Sequence, residues 1–568
     1  MNRLFFLFFN LIYFSSAGQS IKLVFNEISN PISLDLKQRI ENSISDSVNS
    51  FAIKEILYEN GFLEAEVKID KTLKSISINQ GPQYFWQDVK LGNIKKEVGQ
   101  KLNFSEKLFK NKPVNIKQVF KWQEKFLRYY ENHGYPFAKV KLDTISINNQ
   151  FISATWYAEL NKQIFIDSIN IISDEPLPKF YLTSYSGIKK GNPYNENAIA
   201  QIETRIKEIP FVVSAQPHKV VFTDQKTFLN LYLKKQKASS FNGVAGFLPD
   251  ENTGEILITG DAKLALQNAL GSGEIIKLNW RKLQTNTQDL NAFVNVPYLF
   301  NTPVGTELDL KLYRRDTTFA EQNIKLGLQY AINQGNFFKV FIENYASNLI
   351  STSIFQDFTT LPPLIDVRKR SYGIGISAFK LNYKFNPRSG YSYNLNASAG
   401  TRQVIENINL NPIIYDSLDL KTNQFNLFFD GEYFFPLFKR STLKIGNQSK
   451  WLINNQIFAN ELLRIGGLNT LRGFDEESIT ASAYSIFTTE YRILLEENSF
   501  FYFFSDVAFW ERNLRTSYDK DLPFGFGTGI SFQTKAGIFT VNYALGKQRN
   551  NPLDLRVAKI HFGFLSLF

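Results

Sequence analysis

The residues best placed for chemistry lie in one stretch, IGGLNTLRGFDEESI, from Ile465 to Ile479. Gly466 and Gly467 open it, Leu471-Arg472-Gly473-Phe474 form its centre, and Asp475, Glu476 and Glu477 follow in a row. One guanidinium between glycines suits a fixed, bidentate, charge-assisted grip on carboxylates. That is anchoring, not bond-breaking. The rest of the chain offers little else. It has no cysteine, which excludes disulfides, thiolate metal sites, thiol nucleophiles and an acylated-cysteine anchor. Its three histidines, His133, His218 and His561, are scattered, and a His-based catalytic or zinc cluster would need nearly all of them. There is no G-x-S-x-G elbow, H-E-x-x-H pair or P-loop. The expectation is a non-enzyme without cofactor or metal. In PFGFGTGISF, Gly525, Gly527 and Gly529 alternate strictly and no helical pattern follows. This is a strand with one glycine-lined face, not a nucleotide loop.

The elements that position this stretch follow from composition and periodicity. Aromatics reach 15%, with 53 Phe and 26 Tyr, while mean hydropathy is only −0.21. The average is too polar for a helical membrane bundle. It fits a transmembrane β-barrel, where every second residue faces lipid and aromatic girdles mark the interfaces. Residues 1–18 read as a secretory leader: an Arg, an apolar run from Leu4 to Phe14, then Ser15, Ser16, Ala17 and Gly18. No other run is long enough to span a bilayer as a helix, so a membrane form must be a barrel. The net charge of +11 suits nucleic acid, an anionic lipid surface or acidic clients, and equally a solvated basic surface.

Two organisations follow the leader. YENGFLEAEV (Tyr58–Val67) and YENHGYPFAKV (Tyr130–Val140) resemble each other, each after an amphipathic helical stretch and before a strand-like run. A weaker third copy carries Pro210 in the glycine's place. Each unit reads as strand–helix–helix–strand–strand, giving small domains over 19–83, 84–161 and 162–236. Gly61 and Gly134 follow the helices where a positive φ is wanted. From 237 to 568, sixteen alternating segments are separated by tight turns on one side and longer connections on the other, the pattern of an outer-membrane barrel. A soluble β-sandwich would not explain so long a series. On the last strand Ala558, Ile560, Phe562, Phe564 and Phe568 share the lipid parity, opposite Lys559, His561 and Gly563.

With those residues in view, the chain resembles a known family. The units around ENGF and NHGYPFA look like polypeptide-transport-associated (POTRA) domains. IGGLNTLRGF resembles the GG…(V/L)RG(F/Y) motif of the sixth extracellular loop in the BamA/TamA outer-membrane assembly-factor superfamily, the bacterial surface antigen family. Three such units before sixteen strands look TamA-like. The resemblance implies α+β POTRA repeats before a 16-stranded antiparallel barrel at 237–568, in the bacterial outer membrane, with the N-terminal domains in the periplasm. It implies that the loop folds into the barrel and that Arg472 meets Glu490 on strand 12 and Asp506 on strand 13; Ala508 stands where the family carries glycine. Gly525, Gly527 and Gly529 would leave a groove for the loop.

The implied role is assembly and insertion of β-barrel clients through a weak seam between the first and last strands. Gly243, Gly246 and Gly563 are the seam candidates, since glycine weakens strand packing, and the terminal Phe568 resembles the assembly signal of barrel substrates. Implied partners are the outer-membrane bilayer, unfolded barrel clients and a TamB-like or periplasmic lipoprotein partner at the POTRA units, with no nucleic acid. The alternatives are a two-partner-secretion translocator and a passive pore.

Overall fold

The structure is a computed structural model. It describes residues 10–16, 19–26, 33–46, 50–70, 75–249, 256–284, 287–333, 335–353, 355–356, 358–383, 386–534, 537–549, 553 and 555–567. Most of the expected leader (1–9 and 17–18) and the terminal Phe568 fall outside them; Asn10–Ser16 is a strand paired with Gln19–Asn26. The chain forms two compact units, one of residues 1–167, 191–200 and 225–227, the other of 168–190, 201–224 and 228–568.

The first unit holds two small sheets backed by helices. In one, Gln19–Asn26, Ser75–Asn79 and Glu66–Asp70 lie side by side, and the helices Leu34–Asp46 and Ser50–Glu59 bury Ile40, Ile53 and Leu57 against Leu23, Phe25 and Ile76. In the other, Phe151–Glu159 runs between Phe85–Leu91 and Lys139–Asn148. Its inward residues Ile152, Ala154, Trp156 and Ala158 alternate with exposed or half-buried ones, as one-sided burial of a strand requires. The helix Ile116–Glu131 starts at Asn115, whose side chain accepts from the Gln118 amide at 2.9 Å. Trp122, Phe126 and Tyr130, spaced by four, form its buried stripe. Gly61 and Gly134 sit at φ +87° and +95°, and their carbonyls accept from the amides of Tyr84 and Ile164 at 2.8 and 2.7 Å. The repeated glycine therefore does more than end a helix: its carbonyl bonds the start of the following segment.

The second unit opens with a third small sheet, Thr227–Lys235 between Ser168–Ile172 and Val212–Phe222, with helices Lys179–Ser186 and Ile202–Glu208. The remainder is a closed antiparallel barrel in which each strand pairs with the next in the chain. Ser517–Asp521 and Phe524–Gln533 both lie along Phe500–Leu514 and count as one interrupted strand, which makes sixteen. Alternation sets the wall. On Phe500–Leu514, Phe503, Val507 and Phe509 point outward, while Tyr502, Phe504, Asp506, Ala508 and Trp510 are buried. The last strand, Lys559–Leu567, turns Ile560 and Phe562 outward, so His561 keeps the lumenal parity.

The wall is not uniform. The first strand, Ser240–Pro249, is paired along its whole length with Ile256–Gln267. To the last strand it is joined, among the described residues, by two pairs alone, Ser240 with Leu567 and Phe241 with Ser566. Gly243, Gly246 and Gly563 lie beyond them, where no pair joins these two strands among the described residues.

Candidate functional site: a loop anchored inside the barrel

The quoted stretch lies between the eleventh strand, Ser441–Ile453, and the twelfth, Ala483–Leu494. Its shoulders, Leu463–Ile465 and Ile479–Ala481, pair into a small hairpin. Ile465, Leu471, Phe474 and Ile479 pack with Tyr484, Ile486, Ala508 and Trp510 of the wall, which fixes the hairpin against the lumenal face. Gly466, Gly467 and Gly473 sit at φ +115°, +95° and +91°, a region that favours glycine. At Gly473 a Cβ would stand 2.6 Å from the Leu545 carbonyl, so the loop backbone lies directly on the fifteenth strand, Ile538–Lys547.

That approach delivers Arg472 to two carboxylates. Its Nε donates to Asp506 Oδ2 at 2.7 Å and its Nη2 to Asp506 Oδ1 at 2.6 Å, a bidentate pair. Nη1 donates to Glu490 Oε1 at 2.8 Å. The Arg472 backbone amide adds a longer bond to Asp506 at 3.3 Å. The guanidinium also lies 3.7 Å from the centroid of the Phe504 ring, a cation–π contact. The second oxygen of Glu490 accepts from Arg492 Nε and Nη2 at 3.0 and 2.7 Å. All four charged side chains are at least nine-tenths buried. Each buried charge has an opposite partner, the condition for tolerating charge out of water.

The resemblance implies Arg472, Glu490 and Asp506, and the structure brings them together. Sequence reasoning misses four contributors. Arg492 lies two residues from Glu490 and Phe504 two from Asp506, so strand parity was enough to find both. Gly546 leaves room for the Gly473 carbonyl and the Phe474 ring, and it sits on the neighbouring strand, out of the glycine series. The fourth is a second anchor. Glu461, fully buried, accepts from Arg402 Nε at 2.9 Å and Nη2 at 2.7 Å, and from Lys369 Nζ at 3.0 Å. These partners stand 59 and more residues away in sequence, so no local pattern could join them.

Phe474 packs in the apolar cluster, and the ring on Arg472 is that of Phe504. One expectation is corrected. The glycine series is not an empty groove: only Gly525 meets the loop, at the Arg472 carbonyl, while Gly527 and Gly529 make room for the rings of Phe504 and Tyr502. Aromatics filled the face because the adjacent thirteenth strand turns the Tyr502 and Phe504 rings into the same lumen.

Outside the barrel wall, Glu208 of the third small sheet's helix layer is buried and accepts from the Tyr185 hydroxyl at 3.0 Å. Burial raises its pKa, against the lowering influence of that hydrogen bond and of Arg205 and Lys380.

A model described as the Omp85 superfamily domain matches residues 268–564. No curated protein matches the sequence. Among solved structures, CdiB from Escherichia coli aligns at 12% identity over 95% of this chain and 100% of its own, with a TM-score of 0.53. CdiB from Acinetobacter baumannii aligns at 12% identity and the same coverages, with a TM-score of 0.51. BamA from Haemophilus ducreyi lacking POTRA domains 1–3 aligns at 15% identity over 85% of this chain and 100% of its own, with a TM-score of 0.43.

Proposed function

This chain belongs to the Omp85 superfamily, outer-membrane barrels with a role in protein transport or assembly, and from that premise we propose that it is an assembly factor that folds β-barrel clients into the outer membrane. The observation that carries the proposal is the seam, held among the described residues by Ser240–Leu567 and Phe241–Ser566 alone. In hydrocarbon each unpaired backbone group costs several kcal/mol, so two edges facing each other without pairing are poised to accept a third strand. An incoming client strand would satisfy them by strand addition. No bond chemistry is required. In this reading the three N-terminal α/β modules are POTRA domains in the periplasm. Their sheet edges receive clients, and a TamB-like or lipoprotein partner docks there. The anchored loop supports assembly over a passive pore, because it crosses the lumen.

Conditional depletion with quantitative mass spectrometry of every outer-membrane barrel tests this. The expected result is a broad or selective loss of barrels, restored by the parent chain and not by Arg472→Ala. An unchanged set of barrels, with one secreted protein missing from the medium, would replace the proposal with a two-partner-secretion translocator. A disulfide joining Phe241→Cys to Ser566→Cys should also abolish assembly, reversibly with reductant.

A further inference from the structure

The unpaired part of the seam is bridged from inside by the three acids that end the loop motif. Asp475 pairs with Lys559 of the last strand at 2.7 Å. Glu476 and Glu477 both pair with Arg281 of the third strand, Glu476 at 3.1 Å. Arg281 also pairs with Asp289 of the fourth strand at 3.3 Å. In barrel order the last strand is followed by the first, second and third, so two consecutive stretches of loop hold the two flanks of the seam.

We infer that Asp475, Glu476 and Glu477 are an inner latch that keeps the seam shut, an inference that rests on the seam reading above. Backbone pairing occupies one end of the seam, at Ser240–Phe241. The latch lies toward the other, since Lys559 begins the last strand and Arg281 falls near the end of the third. The two closures therefore divide the seam between them. The acids are held for this. Glu477 adopts φ +56°, unusual for a residue with a side chain, and that turn presents it to Arg281. A Cβ at Gly467 would collide with the Glu476 carboxylate, so the second glycine of the motif keeps that acid's place. The Arg281 side carries most of the hold: its side chain is 16% exposed, against 71% for Asp475, whose pair water screens. The anchors at Arg472 and Glu461 fix the loop to the wall, and the acids carry that fixed position to the seam.

The test uses the purified full chain in lipid vesicles with no client. The chain has no cysteine of its own, so disulfide formation between Ala245→Cys and Phe562→Cys, which continue the Ser240–Leu567 register into the latch end of the seam, reports closure. Glu476→Gln with Glu477→Gln, and separately Arg281→Gln, should slow it about fivefold. Lys559→Gln should slow it less. Arg281→Lys, which keeps a cation among the three acids, should retain at least half of the parent rate. Lys339→Gln, which breaks a pair with Glu307 away from the seam, should leave the rate unchanged. Parent rates in the latch variants, or an equal loss in Lys339→Gln, would overturn the latch. Because no client is present, that failure is distinct from a failure of the assembly reading, which the depletion experiment decides.

Discussion

The barrel wall is built differently on its two sides. Around Glu490 and Asp506, the twelfth and thirteenth strands pair continuously from Ala483–Glu511 to Leu494–Phe500, and every buried charge is matched. At the seam, among the described residues, two residue pairs join strands of ten and nine residues, and the matching charges come from a loop. The same alternation and the same residue types make both sides. What differs is where the backbone finds its partner. The continuous side is held by hydrogen bonds along whole strands. The seam is held by few of those, with side-chain pairs from the loop on its flanks.

Substitutions on the two sides can break or sharpen this contrast. Arg472→Ala should have the largest effect, because Asp506 loses its bonded cation and Glu490 keeps Arg492 alone; a loss of roughly 3–5 kcal/mol is expected. It would appear as a lower temperature at which the barrel loses its compact migration in detergent electrophoresis. A parent-like temperature would mean that the anchor is not what closes this wall. Arg402→Ala should cost about 3 kcal/mol by the same assay, less than Arg472→Ala because Lys369 stays on Glu461. Gly525→Ala pushes a methyl into the Arg472 carbonyl and should cost about 1–3 kcal/mol, the range for overpacking a tight site.

Glu208 is a buried acid with, among the described residues, no cation bonded to it, in contrast to Glu490 and Asp506. Its folded pKa is raised above the ordinary 4.5 by burial. Its contribution is therefore complete below that value and lost as pH climbs through the raised folded pKa. Hydrogen exchange over Ile202–Glu208 should quicken as pH rises, beyond the intrinsic rate change, and Glu208→Gln should remove that excess. An excess that persists in the variant would assign it to another group. Gly243→Ala should do least, below about 0.5 kcal/mol, since its methyl would meet only the far end of the Phe241 ring. A large loss there would show that the seam is as tightly packed as the anchor.

The sequence by itself determined the barrel and its strand number, because period-two alternation and turn spacing are local properties that sixteen strands repeat. The resemblance of the loop motif implied Arg472 as an anchor with Glu490 and Asp506 as its partners, since such a motif is written along the chain. The tertiary structure alone decided the rest. Glu461 meets Arg402 and Lys369 only because the loop crosses the lumen to the eighth and ninth strands, Val367–Leu381 and Gly390–Val404. Arg281 meets Glu477 across 196 positions for the same reason. The fate of the alternating glycines depended on which rings the neighbouring strand turned inward. Glycines at 243, 246 and 563 mark the seam strands, but that pairing between them stops after Phe241 among the described residues is set only where the two chain ends meet. Each of these is a relation between distant segments, fixed when the barrel closes and sets strands of different origin face to face.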